Sequence, residues 1–158
     1  MSSATPTELL LRPALPDDGP LIAALYTATR AAAVPHMPPA MHTAEEDVTH
    51  FSALIVDGEH ETWVAEQDGR VLGFAILTAT WLDGLYVRPD AQGRGVGTAL
   101  LQLAQALRPD GFGLWVFESN TPARALYERH GFVETERTDG SGNEEKAPDI
   151  RMNWPADR

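Results

Sequence analysis

An apolar segment ending Leu85-Tyr86-Val87 runs into the turn Arg88-Pro89-Asp90 and then into Gln92-Gly93-Arg94-Gly95-Val96-Gly97-Thr98. After it, Val96, Leu100, Leu103, Ala104 and Leu107 recur at helical spacing until Arg108-Pro109-Asp110-Gly111 stops the stripe. The order is strand, glycine loop, helix, and it suits an anion. Glycines let backbone N–H groups converge without a Cβ in the way, and a helix start adds unpaired donors and a partial positive charge. The bland alternative is a strand-to-helix turn that uses glycine only for tight packing.

Spacing separates the phosphate-binding options. A P-loop places Lys and then Ser or Thr after its last glycine, whereas Gly97 is followed directly by Thr98. A dinucleotide fingerprint wants glycine directly after the strand, yet five residues separate Val87 from Gly93, and Thr98 occupies the place of the third glycine. What remains is Q-x-x-G-x-G after a strand ending L-Y-V-x-P.

The other segments are read from local signals. Leu-rich Glu8 to Arg12 reads as a strand, and Leu21, Ile22, Leu25, Tyr26 and Thr29 as a helix. Residues 34–42 hold three prolines, His36 and His42, and form a loop; Thr43 and Glu46 have capping-box spacing for a second helix toward Phe51 and Leu54. Asp68-Gly69 joins two apolar runs as a hairpin, and Gly84 inside the third strand signals either a second turn or, as the favoured reading, a bulge that spreads it from its neighbour. A strand over 113–117, a helix opened by Asn120-Thr121-Pro122 and ended by Gly131, and strands from Phe132 and from Asp149 to Trp154 complete the order βααβββαβαββ. His130 is expected to serve the C-terminus of the helix before it.

A chain of 158 residues with 43% hydrophobic content is expected to form one domain over 1–158, with residues 1–7 flexible. Net charge of −11 argues against nucleic acid and anionic membranes as partners. Residues 88–129 differ: five Arg against four acids leave this segment at +1. The start of the chain lacks the basic and apolar regions of a secretory signal, and cysteine is absent, so a cytoplasmic protein without disulfides is expected. No metal site is expected, because His36 and His42 lack a third ligand at usable spacing.

Residues 120–132 read Asn120-Thr-Pro-Ala123-Arg-Ala-Leu-Tyr127-Glu-Arg-His-Gly131-Phe132. Together with the 92–97 loop, this N-x-x-A-x-x-x-Y-x-x-x-G-F pattern resembles the GNAT N-acetyltransferase superfamily, and the order of elements resembles it across nearly the whole chain. The resemblance implies an α/β (α+β) fold: a mixed, mostly antiparallel sheet of about seven strands, helices on both faces, and a splayed strand pair forming a coenzyme A cleft. It implies acetyl-CoA as cofactor, with the backbone of Leu85, Tyr86 and Val87 pairing with the pantetheine arm. Gln92, Gly93, Arg94, Gly95, Val96, Gly97 and Thr98 would hold the pyrophosphate, with Asn120, Ala123 and Tyr127 also facing the cofactor. The implied reaction is acetyl transfer to a primary amine of a small, cationic acceptor or a peptide N-terminus, by direct attack. Family members of this size often pair through their last strands, so a homodimer is among the expectations.

Tyr127 lies seven residues, about two turns, after Asn120, so both side chains share a helix face. A tyrosine of ordinary pKa ~10 can protonate a leaving thiolate whose acid lies near ~8.5 if it is suitably placed. Its alternative role is a core aromatic, and an N-cap explains Asn120 equally well. For the general base the candidates are Glu118 at a strand end, Asp83 beside the suspected bulge, and Glu144 and Glu145 on the late loop, with a water relay as another route. Acids outnumber Lys146 over 138–149, which favours a cationic acceptor. Trp63, Trp81, Trp115 and Trp154 are either pocket walls or core. A module that keeps the fold to sense acetyl-CoA without turnover is the competing function.

Overall fold

The computed structural model describes residues 8–155, so residues 1–7, where flexibility is expected, lie outside the described residues. Strand β1 (Leu10–Pro13) leads to helices α1 (Gly19–Ala33) and α2 (Ala44–Val56), then to β2 (Glu61–Gln67), β3 (Arg70–Leu77) and β4 (Leu82–Val87). Helix α3 (Val96–Leu107), β5 (Phe112–Phe117), α4 (Thr121–Arg129), β6 (Val133–Arg137) and β7 (Asp149–Trp154) follow. This is the order anticipated, with element ends moved by a residue or two.

Local chemistry explains the boundaries. Thr43 Oγ1 accepts from the Glu46 amide at 3.1 Å while Glu46 Oε1 accepts from the Thr43 amide at 2.9 Å, which starts α2 as a reciprocal capping box. The β2–β3 hairpin turns on Asp68 and Gly69 at φ 55° and 76°, a pair of left-handed residues that matches strand twist. In α1, Leu21 is 56% exposed and Ala23 takes its place in the core; in α3, Leu101 is fully buried.

Among the described residues seven strands form two sheets rather than one continuous ladder: β1-β2-β3-β4 and β5-β7-β6, with antiparallel pairing within each. One isolated parallel bridge, Trp81 to Gly113, links the halves. Beyond it β4 and β5 separate. The bulge anticipated at Gly84 lies in the β3–β4 register, where Ile76 faces Gly84 but Leu77 faces Leu82, leaving Asp83 as the extra residue.

Two cores sit on opposite faces of β1–β4. Ile22, Leu25, Phe51, Val64 and Phe74 fill the side under α1 and α2. The other core joins α3 and α4 to both sheets through Leu72, Leu100, Leu114, Tyr127 and Met152. That shared core holds the halves together where strand pairing does not.

At the bridge, a Cβ on Gly113 would lie 2.8 Å from Trp81 Cζ3 and 2.9 Å from Asn153 Nδ2. Gly113→Ala should therefore cost about 1–3 kcal/mol through overpacking. Urea unfolding checks this: the midpoint should fall with an unchanged m-value, and an unaltered midpoint would mean that the Trp81 ring yields freely.

Candidate active site

Where β4 and β5 part, they wall a cavity of about 600 Å³. Leu85, Tyr86 and Val87 line it from β4, and Leu114, Val116 and Phe117 from β5. The loop contributes Gln92, Gly93, Gly95, Gly97 and Thr98, and the α4 region Asn120, Ala123 and Tyr127. Of the anticipated loop residues, Arg94 is exposed and does not line the cavity, while the Val96 side chain is buried in the core.

The β3–β4 ladder shows which backbone groups face the cleft. Arg88 donates to the Leu72 carbonyl at 2.8 Å, and with Phe74 opposite Tyr86 this parity turns the amides of Leu85 and Val87 away from β3. They point to the side where β5 does not pair. The Val87 carbonyl already accepts from Gln92 Nε2 at 3.1 Å and from Thr29 Oγ1 at 3.3 Å. Gln92 therefore ties the loop to the strand, and Leu85 keeps both its donor and its acceptor available for an extended arm.

The glycines of the loop are not there for packing. Gly93 and Gly95 stand at φ 81° and 86°, and an added Cβ at either would meet nothing within 4 Å. The space they leave is open, and the left-handed backbone is what requires glycine. Gly95 is the N-cap of α3, and the first intrahelical bond runs from the Ala99 amide to its carbonyl at 3.0 Å. The amides of Val96, Gly97 and Thr98 therefore have no helical partner and converge on that open cradle. A pyrophosphate fits this donor set.

Asn120 occupies the N-cap position of α4, but its side chain makes no capping hydrogen bond. The amide lines the cavity instead. Tyr127 is 8% exposed, packs against Phe132 at 5.7 Å and lines the same cavity. Burial holds its phenol above the ordinary tyrosine value, so it remains a proton donor across the working pH range. His130 donates from Nδ1 to the Leu126 carbonyl at 2.8 Å, at the C-terminus of α4.

The candidate bases separate. Asp83 lines the cavity, whereas Glu118 is exposed, does not line it, and faces Arg137 at 3.7 Å. Glu118 is turned away because β5 ends at Phe117 and the following turn is held by its own backbone, which donates to Pro148 and accepts from Arg124. Glu144 accepts from His42 Nε2 at 2.9 Å and joins the 34–43 loop to the 138–148 loop. Ser119 Oγ donates to the His36 carbonyl at 2.6 Å and closes the other side. Trp115 lines the cavity, Trp81 stands beside it, Trp154 packs on Phe112 and Phe132, and Trp63 donates to Glu61.

The sequence offered no sign of His60, whose Nε2 lies 3.1 Å from Asp83 Oδ2. Thr29 also lines the cavity without a motif to announce it, and Met37 lines it from the proline-rich 34–42 loop.

Comparison with known proteins agrees with this architecture. A family model described as Acetyltransferase (GNAT) domain matches residues 58–134. The peptidyl-lysine N-acetyltransferase YiaC of Escherichia coli is 37% identical over 98 residues, covering 60% of this chain and 64% of that protein. The peptidyl-lysine N-acetyltransferase YjaB of Salmonella typhimurium is 34% identical over 98 residues, 61% of this chain and 67% of that protein. The chain thus spans about two thirds of the length of these relatives. The solved structure of yncA from Salmonella typhimurium, a putative acetyltransferase with its cofactor acetyl-CoA, superposes with a TM-score of 0.73 at 18% identity, covering 93% of each chain. The chain belongs to the GNAT acetyltransferase superfamily, whose cofactor is acetyl-CoA.

Gly97 tests the cradle without backbone strain, because an added Cβ meets only Leu126 and Val87 at 3.6 Å. Gly97→Glu places a carboxylate among the convergent amides and should weaken acetyl-CoA binding at least 100-fold in calorimetry, with the melting temperature of the free protein little changed. Unchanged affinity would remove the pyrophosphate from this loop.

Proposed function

We propose that the protein transfers the acetyl group of acetyl-CoA to a primary amine carried on a cationic acceptor, by direct attack with both substrates bound. The observation that carries this is the cleft: open glycine cradle, unpaired Leu85 amide and the Tyr127 phenol line one cavity. Bound acetyl-CoA would supply an activated thioester. The residues of the chain orient it, offer a donor to a carbonyl oxygen at Leu85, and deliver a proton.

Tyr127 is the group we assign to protonate the departing sulfur. Its position in the cavity supports this role, and burial keeps the phenol protonated before transfer while making it a weaker acid toward the thiolate. Asp83 is the carboxylate we assign to the amine, since it lines the cavity and Glu118 does not. Acids near the acceptor end support a cationic substrate. Asp149 lines the cavity, and the charge of Glu145 is felt at Tyr26 and Tyr86. Relatives that act on peptidyl-lysine fit the same chemistry, an ammonium on a flexible arm.

Thiol release from acetyl-CoA, measured over a panel of spermidine, lysine, a lysine-containing peptide and an aminoglycoside, tests the function. Amine-dependent release is expected, and release no faster than hydrolysis with every amine would contradict it. With the best amine, Tyr127→Phe should lower kcat by roughly 10²-fold to 10⁴-fold at unchanged cofactor affinity. A kcat within about threefold of wild type would move proton delivery to another group.

A further inference from the structure

Behind Asp83 lies a chain of polar groups that the reaction as described does not use. Asp57, at the end of α2, accepts at Oδ1 from the amides of Glu59 and His60 at 2.8 and 3.0 Å, which fixes its carboxylate. Its Oδ2 lies 2.6 Å from His60 Nδ1, and His60 Nε2 lies 3.1 Å from Asp83 Oδ2. The His60 side chain is 17% exposed, and Asp83, 44% exposed, is the member that reaches the cavity. Its position is set by the β4 bulge, which makes Asp83 the unpaired extra residue of the strand.

We propose that Asp57, His60 and Asp83 form a proton relay that carries the ammonium proton of the acceptor out of the cleft, with His60 as its terminal acceptor. The proposal rests on the N-acetyltransferase function given above. An isolated carboxylate is a weak sink for an ammonium proton, ~4 against ~10, so something must take the proton onward. In the relay one N–H bond of the ammonium breaks and an O–H bond forms on Asp83. The Asp83 carboxyl then releases a proton to His60 Nε2, which becomes an imidazolium and later loses it to solvent. Asp83 ends as the carboxylate it began as.

The two hydrogen bonds of His60 define its roles. Asp57 accepts a hydrogen bond from Nδ1–H, which leaves Nε2 of the neutral ring as a lone pair aimed at Asp83. Only the neutral ring can receive. The charged groups that face it are Asp57 from the end of α2 and Asp83 from β4; burial pulls its pKa down, but these two carboxylates outweigh burial and raise it above the ordinary histidine value. Below that raised value His60 is already an imidazolium that donates to Asp83, and the relay is blocked. Activity should therefore rise with pH through the His60 titration.

Histidine NMR titration of the intact protein, paired with the pH profile of kcat for the fastest amine of the panel, tests this. In wild type the His60 midpoint and the acidic kinetic limb should coincide above 6.5, the ordinary histidine value. Asp57→Asn keeps an oxygen for the Glu59 and His60 amides but removes the charge, and should move both midpoints to lower pH together. His60→Gln can still donate to Asp83 yet cannot titrate. It should erase the limb and lower kcat tenfold to a hundredfold, with acetyl-CoA affinity unchanged.

A residue that only braces the fold would lower the melting temperature of these variants and leave the limb where it is. A limb that stays in place in Asp57→Asn while the NMR midpoint moves, or a wild-type profile in His60→Gln, overturns the relay and leaves the transfer reaction standing. Wild-type protein that releases no thiol with any amine overturns both.

Discussion

The structure depends on the place where β4 and β5 stop being neighbours. Trp81 and Gly113 form a single parallel bridge, with the Trp81 ring so close to Gly113 that a larger residue would have to displace it. Two residues further, the bulge at Asp83 and Gly84 bends β4 away. A sheet interrupted in this way leaves backbone donors and acceptors unpaired, at a cost comparable to lost hydrogen bonds. The chain tolerates it because α3 and α4 cover one face of both halves with a shared core, so the halves cannot drift apart. The open edge is then available to a ligand that completes it.

Charge follows the same division. In a chain of net charge −11, residues 88–129 around the glycine loop sum to +1, so a polyanionic cofactor would meet less repulsion there. Oriented dipoles at the start of α3 face the cleft, and Arg129 also lines it. Three free amides at the start of α3 face an empty cradle, while Arg94 is exposed and outside the cavity. Toward the acceptor end the balance reverses, and Asp83 and Asp149 line the cavity. One cleft thus has a donor-rich end that would suit phosphate and an acid-bearing end that would suit an amine.

Much of this was legible in the sequence where the signal is local. The capping box at Thr43 and Glu46, the Asp68-Gly69 hairpin and the stripe of α3 each act over a few residues, and each appears in the structure. The glycine loop was legible in position, but only φ values and empty Cβ positions separate a ligand cradle from tight packing. Contacts between distant segments were not legible. His60 reaches Asp83 across 23 residues and His42 reaches Glu144 across 102, and nothing in either neighbourhood announces the partner. Glu118 illustrates the converse: its place at a strand end suggested the cleft, and the pull of Arg137 together with the turn after β5 carried its carboxylate away. Trp115 and Trp154 alternate between pocket and core because strand parity, not residue type, decides the face.

The central claim is that the parted strands and the start of α3 together receive acetyl-CoA. Backbone amide hydrogen exchange with and without acetyl-CoA measures this directly, because each unpaired donor named above should become protected when a ligand accepts from it. Slowed exchange is predicted at Leu85 and over residues 93–98, with little change on the outer strand β1 or in the β2–β3 hairpin. Binding that leaves the amides at 85 and 93–98 exchanging as in the free protein would contradict the account.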